Sequence, residues 1–229
     1  MARLPFVAAL AILLAAALAG SALAADIVTV PTANQLSAGQ LDLAYYYIGL
    51  DFPAGAPQHV NVQTLYYGLT EQLEVDLHRY EVDKGSTDTI VNATWKFMDE
   101  RRDSVDAVVG VRDAFEQIAK RSYHLSAAKT LNPPVGGPPI GPIYRLHLSV
   151  GTADNTLLGE ERHEGLFGGV QILLKPMYPQ VGLVALHDGQ DLITGVTLTP
   201  SAKWPTLKGG TYGDHWWIGA NYTWNLGLR

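Results

Sequence analysis

Beyond its first two dozen residues the chain repeats one pattern, apolar side chains at every second position. Leu73, Val75 and Leu77 alternate with Glu74, Asp76 and His78, and Val91, Ala93, Trp95 and Phe97 alternate with Ile90, Asn92, Thr94 and Lys96. Val105, Ala107, Val109 and Val111 stand against Asp106 and Arg112, and Tyr144, Leu146, Leu148 and Val150 against Arg145, His147 and Ser149. Successive side chains of a strand point to opposite faces, so a period of two makes a strand with one apolar face. Weaker runs of the same kind occupy residues 41–47, 60–66, 123–127, 166–174, 181–185, 192–198 and 216–228, and a short run at 204–208 carries Pro205. The runs predict twelve strands, or ten if the last weak pair is a loop.

Turn chemistry separates the runs: Gly68-Leu69-Thr70-Glu71, Asp83-Lys84-Gly85-Ser86, residues 99–103, Lys175-Pro176, Asp188-Gly189, Pro200-Ser201 and Gly209-Gly210. Short links of this kind join neighbours as antiparallel hairpins, a meander. Residues 132–142, rich in Pro and Gly, fit neither strand nor helix and read as a loop.

The first 24 residues read as a secretory signal peptide, with Arg3, an apolar run over residues 6–19, a Gly20-Ser21 break, and small residues at Ala22 and Ala24. That run is shorter than the roughly 20 residues a spanning helix needs. A retained anchor is the other reading. Cleavage after Ala24 would leave residues 25–229 as a single domain of 205 residues, its charge moved from -6 to -7 by the loss of Arg3. An acidic balance, 16 Lys and Arg against 22 Asp and Glu, provides no electrostatic footprint for nucleic acid, and the lack of Cys excludes a disulfide scaffold.

An exported all-β chain can keep its apolar residues inside, as a soluble barrel or sandwich, or outside, as a transmembrane barrel. The polar face decides between them. It holds Asn61, Gln63, Asn92, Thr94, Gly110, Ser149, Gly169, Gln171, Gly219, Asn221, Thr223 and Asn225, the small and amide-bearing set expected of a barrel lumen. Aromatic residues gather near strand ends, among them residues 45–47, Tyr66, Tyr67, Trp95, Tyr144, Tyr178, Trp204, Trp216, Trp217, Tyr222 and Trp224, where a lipid-water boundary would hold them. At the C-terminus Tyr222, Trp224, Leu226 and Leu228 alternate with Thr223, Asn225 and Gly227, an amphipathic closing strand that departs from the usual aromatic end. The fold class expected is an antiparallel up-and-down transmembrane β-barrel in the cell outer membrane.

Val30-Pro31-Thr32-Ala33 followed by Gly39, the turn from Tyr67-Gly68-Leu69-Thr70 into Glu71-Gln72-Leu73-Glu74-Val75, and Gly165-Leu166-Phe167-Gly168-Gly169-Val170 resemble YjbH-like outer-membrane β-barrels associated with exopolysaccharide. The likeness is spread over the mature chain in short motifs, and this chain is much shorter than typical members. It implies an indirect role in polysaccharide production or export and carries no catalytic residues.

Several groups of residues invite a chemical reading. His147 and Ser149 are two apart, share a strand face, and with Glu160 or Glu161 would make a hydrolase triad; some outer-membrane lipid A deacylases resemble this His-x-Ser arrangement. A lumenal His beside Arg145 is more simply a hydrogen-bonded interior residue. His163-Glu164 and His187-Asp188 lack a third metal ligand at a useful spacing, and read as loop polar residues. The glycines of residues 165–169 precede no Lys-Ser or Lys-Thr and open no helix, so close backbone approach explains them better than phosphate binding. Glu74, Asp76, Lys96, Asp106, Arg112, Arg145 and Lys175 would face the lumen, and unpaired charge in a confined interior is costly. A salt-bridged, mostly filled interior follows. The expectation is therefore a barrel without enzymatic activity, cofactor or metal, an accessory of polysaccharide export or envelope structure whose partners are membrane lipids and possible polysaccharide or export-machinery proteins. A narrow channel, a lipid-modifying hydrolase and a soluble periplasmic binding barrel are the alternatives.

Overall fold

The alternating runs become twelve strands: β1 (Gln40–Gly49), β2 (His59–Gly68), β3 (Leu73–Val82), β4 (Thr87–Met98), β5 (Asp106–Arg112), β6 (Ser122–Leu131), β7 (Ile143–Gly151), β8 (Gly165–Lys175), β9 (Gln180–His187), β10 (Leu192–Thr199), β11 (Thr206–Tyr212) and β12 (His215–Asn225). A computed structural model describes residues 30–50, 59–83, 87–118, 120–132, 141–153 and 162–227, and among these there is no helix. Each strand pairs antiparallel with its sequence neighbours, and β1 pairs with β12 from Gln40 opposite Asn225 to Gly49 opposite Trp216, so the sheet closes on itself. Closure removes the free edges that a twelve-strand open sheet would expose. The even count brings the start of β1 and the end of β12 to one mouth, the proximal end; the 188–191 and 213–214 turns lie at the other, distal end. The 1–24 leader, residues 133–140 of the Pro-rich loop, Glu160, Glu161 and Leu228 lie outside the described residues.

The wall has the polarity of a barrel turned inside out. Leu77, Trp95, Val109, Leu148, Leu166, Val196 and Ile218, from seven different strands, point outward and are 39–69% exposed. Glu74, Asp76, His78, Asn92, Asp106, Ser126, His147 and Ser149 alternate with such residues and are buried inside. The assignment of faces in β3, β4, β5 and β7 thus follows the sequence alternation.

Other expectations are corrected. Asn61 and Gln63 face outward, because β2 buries Val60, Val62, Thr64 and Tyr66 instead. The reason lies inside: the distal half of the lumen is apolar, filled by Tyr46, Ile48, Tyr80, Ile90, Phe167, Leu186, Ile193, Tyr212 and Trp217. There, polarity no longer separates inside from outside. Tyr46 and Trp217, expected in a boundary belt, belong to this interior, and Tyr66, expected there too, is buried in the lumen beside Leu36, nearer the proximal mouth. Gly209 and Gly210 are not a turn but lie within β11, while Trp204 and Pro205 precede it. Interior glycine makes room for Trp217: a Cβ on Gly195 would stand 2.6 Å from its ring, and its Nε1 donates to the Thr194 and Thr211 carbonyls at 3.2 and 3.1 Å. Lys175 is exposed beside a β8 bulge, not lumenal, and β12 ends at Asn225, short of Leu226.

Candidate functional site

The proximal half of the lumen is polar, and the chain fills it with itself. Residues 30–38 precede β1, form no ladder-long strand, and run along the barrel interior as a strap. Val30 packs in the distal apolar cluster, Ala33 against Val108 and Ala128, and Leu36 against Tyr66, which marks a path from the distal half to the proximal mouth. At that mouth the chain reverses into β1. Gly39, at φ +72°, donates to the Gly68 carbonyl at 2.8 Å and accepts from Leu226 N–H at 2.9 Å, while Gln40 N–H bonds the Ser37 carbonyl at 3.0 Å. A positive φ of this size suits glycine, which has no Cβ to clash.

Side chains fasten the strap. The Leu36 N–H donates to Glu74 Oε2 at 2.7 Å, and the Gln35 amide donates to the Thr94 and Gln72 carbonyls at 2.9 and 3.1 Å. Asn34 Oδ1 accepts from Arg145 Nε at 2.5 Å, and its amide lies 3.5 Å from Gln171 Oε1. Between strap and wall remains a void of about 10 Å³, lined by Thr32, Asn34, Glu74, Asp76, Arg112 and His124 among others. That is space on the scale of one water.

The wall's charges are mostly matched within the wall. Arg145 is the hub: it bonds Asp106 at 2.6 Å, Glu100 at 3.3 Å and the Thr130 hydroxyl at 2.9 Å, joining β5, β6, β7 and the loop between β4 and β5. Lys96 lies 3.7 Å from Asp106 and Lys129 3.1 Å from Glu100. Burial pushes the Glu100 carboxyl up, but bonds from Thr130 and Lys129 outweigh it and hold the group below the usual carboxylate range. Asp76 takes the Asn92 amide at 2.5 Å and His78 Nε2 at 2.8 Å; His78 Nδ1 meets the Tyr80 hydroxyl at 3.2 Å, which also accepts from Arg112 at 3.1 Å. Pairing of this kind is what a confined interior demands.

A second buried cluster closes the distal end. Arg162 bonds Asp188 at 2.7 Å and Asp191 at 2.9 Å and lies 4.7 Å over the Tyr212 ring, whose hydroxyl donates to Asp188 at 2.5 Å. His163 N–H bonds the Asp188 carbonyl at 2.7 Å, and the imidazole packs against Phe167. His163 and Asp188, read from sequence as ordinary loop polar residues, are therefore interior latch residues, 3% and 0% exposed. No group of three or more ligating side chains placed to hold a metal occurs among the described residues.

His147 and Ser149 share the lumenal face as the sequence implied, and both are buried. The Ser149 hydroxyl lies 2.8 Å from Ser126 Oγ and 3.5 Å from the Pro31 carbonyl, so its contacts tie β6, β7 and the strap rather than forming a nucleophile and base pair. Gly168 and Gly169 are explained by close approach: an added Cβ would run into the His147 and Ala185 carbonyls. The strap residues Thr32, Asn34, Gln35 and Leu36 and the latch residue Arg162 were not visible as site residues in sequence. The strap's one signal was negative, a charge-free, non-alternating stretch ahead of the first strand, and Arg162 gave none. No family model, curated protein or solved structure matches the chain.

Proposed function

We propose that the chain is a non-enzymatic outer-membrane β-barrel, filled by its own N-terminal strap, that serves as an accessory of exopolysaccharide export or envelope structure. The observation that carries the membrane part is the inverted polarity. Exposed Trp, Leu, Val and Ile circle the outside while ion pairs and hydroxyls are buried inside, an arrangement that water penalises and hydrocarbon stabilises. The outward apolar wall argues against a soluble binding barrel, the packed interior against a wide diffusion pore, and the contacts of Ser149 against a hydrolase. The glycan part rests on the YjbH-like motifs alone. A signal peptide cleaved after Ala24 would deliver the chain to the envelope.

Membrane fractionation with a heat-modifiability gel tests the location. The expected result is an outer-membrane band that needs detergent and migrates faster before boiling than after. Solubility without detergent would reject the membrane reading. Cells lacking the protein should hold less surface polysaccharide with an otherwise intact outer membrane; an unchanged polymer level would reject the glycan role and leave the barrel reading standing.

A further inference from the structure

We propose that the outer wall over the distal half of β1–β4 is an interface between two copies of this chain, paired about a two-fold axis that passes between Arg79 and Glu81. The inference rests on the membrane reading above and adds a partner to it.

The apolar outer wall is unequal in height. On β8 the outward residues stay free of charge from Leu166 to Leu174, roughly 20 Å of height at the usual strand rise and tilt, near the 25 Å or so of a transmembrane barrel's apolar band. On β3 the outward apolar run ends at Leu77, after Leu73 and Val75, a height of roughly 10 Å. Beyond it Arg79 and Glu81 point outward and are exposed. Register extends the break over four strands: Tyr45, Gln63, Arg79 and Thr89 stand side by side in one row, and Tyr47, Asn61, Glu81 and Thr87 in the next. Gln63 is at the middle of β2, so this patch begins at mid-wall and not at the rim.

Arg79 and Glu81 form no ion pair among the described residues, whereas Lys129, also on the outer face, meets Glu100 at 3.1 Å. Bare charge facing hydrocarbon is costly, and a partner that supplies the opposite charge removes the cost. A second copy does so for both groups. A two-fold interface presents the same surface twice and must be self-complementary. Arg79 and Glu81 are opposite in sign and two apart on one strand face, and strand tilt sets them on either side of an axis normal to the membrane. Each Arg79 then faces Glu81 of the second copy, and the reverse. The Asn61 and Gln63 amides both donate and accept, which suits a face that meets itself. Leu43, Leu65, Leu77 and Val91, the adjoining row on the proximal side, continue the contact as apolar packing.

The chain has no Cys, so Thr89→Cys gives a single thiol on the patch and Leu183→Cys a single thiol on β9, across the barrel. In native membranes a short bismaleimide should join Thr89→Cys into a dimer band and leave Leu183→Cys monomeric. Arg79→Glu or Glu81→Arg, each added to the Thr89→Cys chain, should cut that band about tenfold or more by setting like charges together. Co-expression of these two variants should restore it, because each supplies the charge the other lacks, a recovery that a misfolded chain would not show. Cross-linking of Thr89→Cys no stronger than that of Leu183→Cys overturns the interface, and loss without recovery overturns the pairing of Arg79 with Glu81. Solubility without detergent rejects the membrane reading and with it the reason for the interface. A protein that needs detergent and gives no dimer band overturns the interface alone.

Discussion

Arg162 concentrates more interaction than any alternation of polarity would assign to a residue between strands. Its guanidinium joins the loop after β7 to the turn after β9 and to Tyr212 of β11. Breaking a buried pair strands the remaining charge, so Arg162→Ala should cost about 3–5 kcal/mol, measured by urea unfolding of the barrel in lipid vesicles. Arg162→Ala combined with Asp188→Ala should cost less than the sum of the two single changes, because the second removes the charge the first leaves uncompensated. Additive losses would show that the two side chains act independently. The same latch sets a pH dependence. Burial pushes the Asp188 carboxyl up, yet the Tyr212 hydroxyl, the Asp191 and Gln190 N–H groups and Arg162 outweigh it and leave the group below its usual range. A carboxyl depressed by folding adds stability that is fully present above its unfolded pKa and lost as pH falls through its folded one. Glu100 has the same sign at the proximal mouth. The urea midpoint should therefore be insensitive to these two groups from pH 8 to 5 and fall below about pH 4, near the unfolded carboxyl values. In Asp188→Asn the acid-induced fall should be smaller; an identical acid profile would remove Asp188 from the account.

Strand β5 shows what an element's faces are worth. Val109 points outward at mid-strand, 39% exposed, whereas Asp106 points inward to Arg145 and Lys96. Val109→Arg places a cation on the outer wall, where it costs roughly 2–4 kcal/mol at a bilayer midplane. The alternation alone makes Asp106→Asn a mild change, since an inward amide stays polar. The ion pairs say otherwise: Asn removes the charge that Arg145 meets at 2.6 Å, so folding should also weaken. The two separate by rescue, because Arg145→Gln should restore part of the loss in Asp106→Asn and none in Val109→Arg, read as the folded fraction on unboiled gels. Equal rescue of both would mean the faces of β5 are misassigned. Legibility varied by element for the same physical reason. Strands β3, β4, β5 and β7 carry mostly apolar side chains outside and mostly polar ones inside, so their pattern states their orientation. Strand β2 faces the apolar distal cluster, and its Val60 and Val62 reverse the inference drawn from Asn61 and Gln63. In β11, Gly209 and Gly210 read as a turn because sequence does not show the close approach of the neighbouring strand, where a Cβ on Gly210 would run into the Thr194 carbonyl.

At the scale of the molecule, closure and filling are separate achievements: the charges of the polar face made a filled interior legible, but not that residues ahead of β1 do the filling. Twelve alternating runs give an even count, and even parity joins the first strand to the last. The strap leaves no periodic trace because it is neither strand nor helix, and the wall partners of Asn34 and Leu36 are thirty or more residues distant along the chain, from Tyr66 and Glu74 to Gln171. Closure and filling meet at one seam. The end of β12 pairs Tyr222 with Leu43, Thr223 with Asp42, Trp224 with Leu41 and Asn225 with Gln40, and Asn221 and Thr223 both donate to the buried Asp42. Deleting residues 222–229 removes those four pairs and the Leu226 bond to Gly39, while β11, whose pairing with β12 runs from Thr206 opposite Asn221 to Tyr212 opposite His215, keeps its partners. The damage falls on the proximal half of β1, whose unpaired N–H and C=O groups would each cost several kcal/mol in hydrocarbon. The truncated chain should fail to accumulate in the outer membrane and be degraded, as seen by fractionation and immunoblot. Asp42→Ala in the full-length chain removes only the side-chain bonds and should still assemble, with a lower urea midpoint. Normal accumulation and unchanged protease resistance of the truncated protein would mean that β1 closes on another partner, and the turn at Gly39 would then need a new anchor.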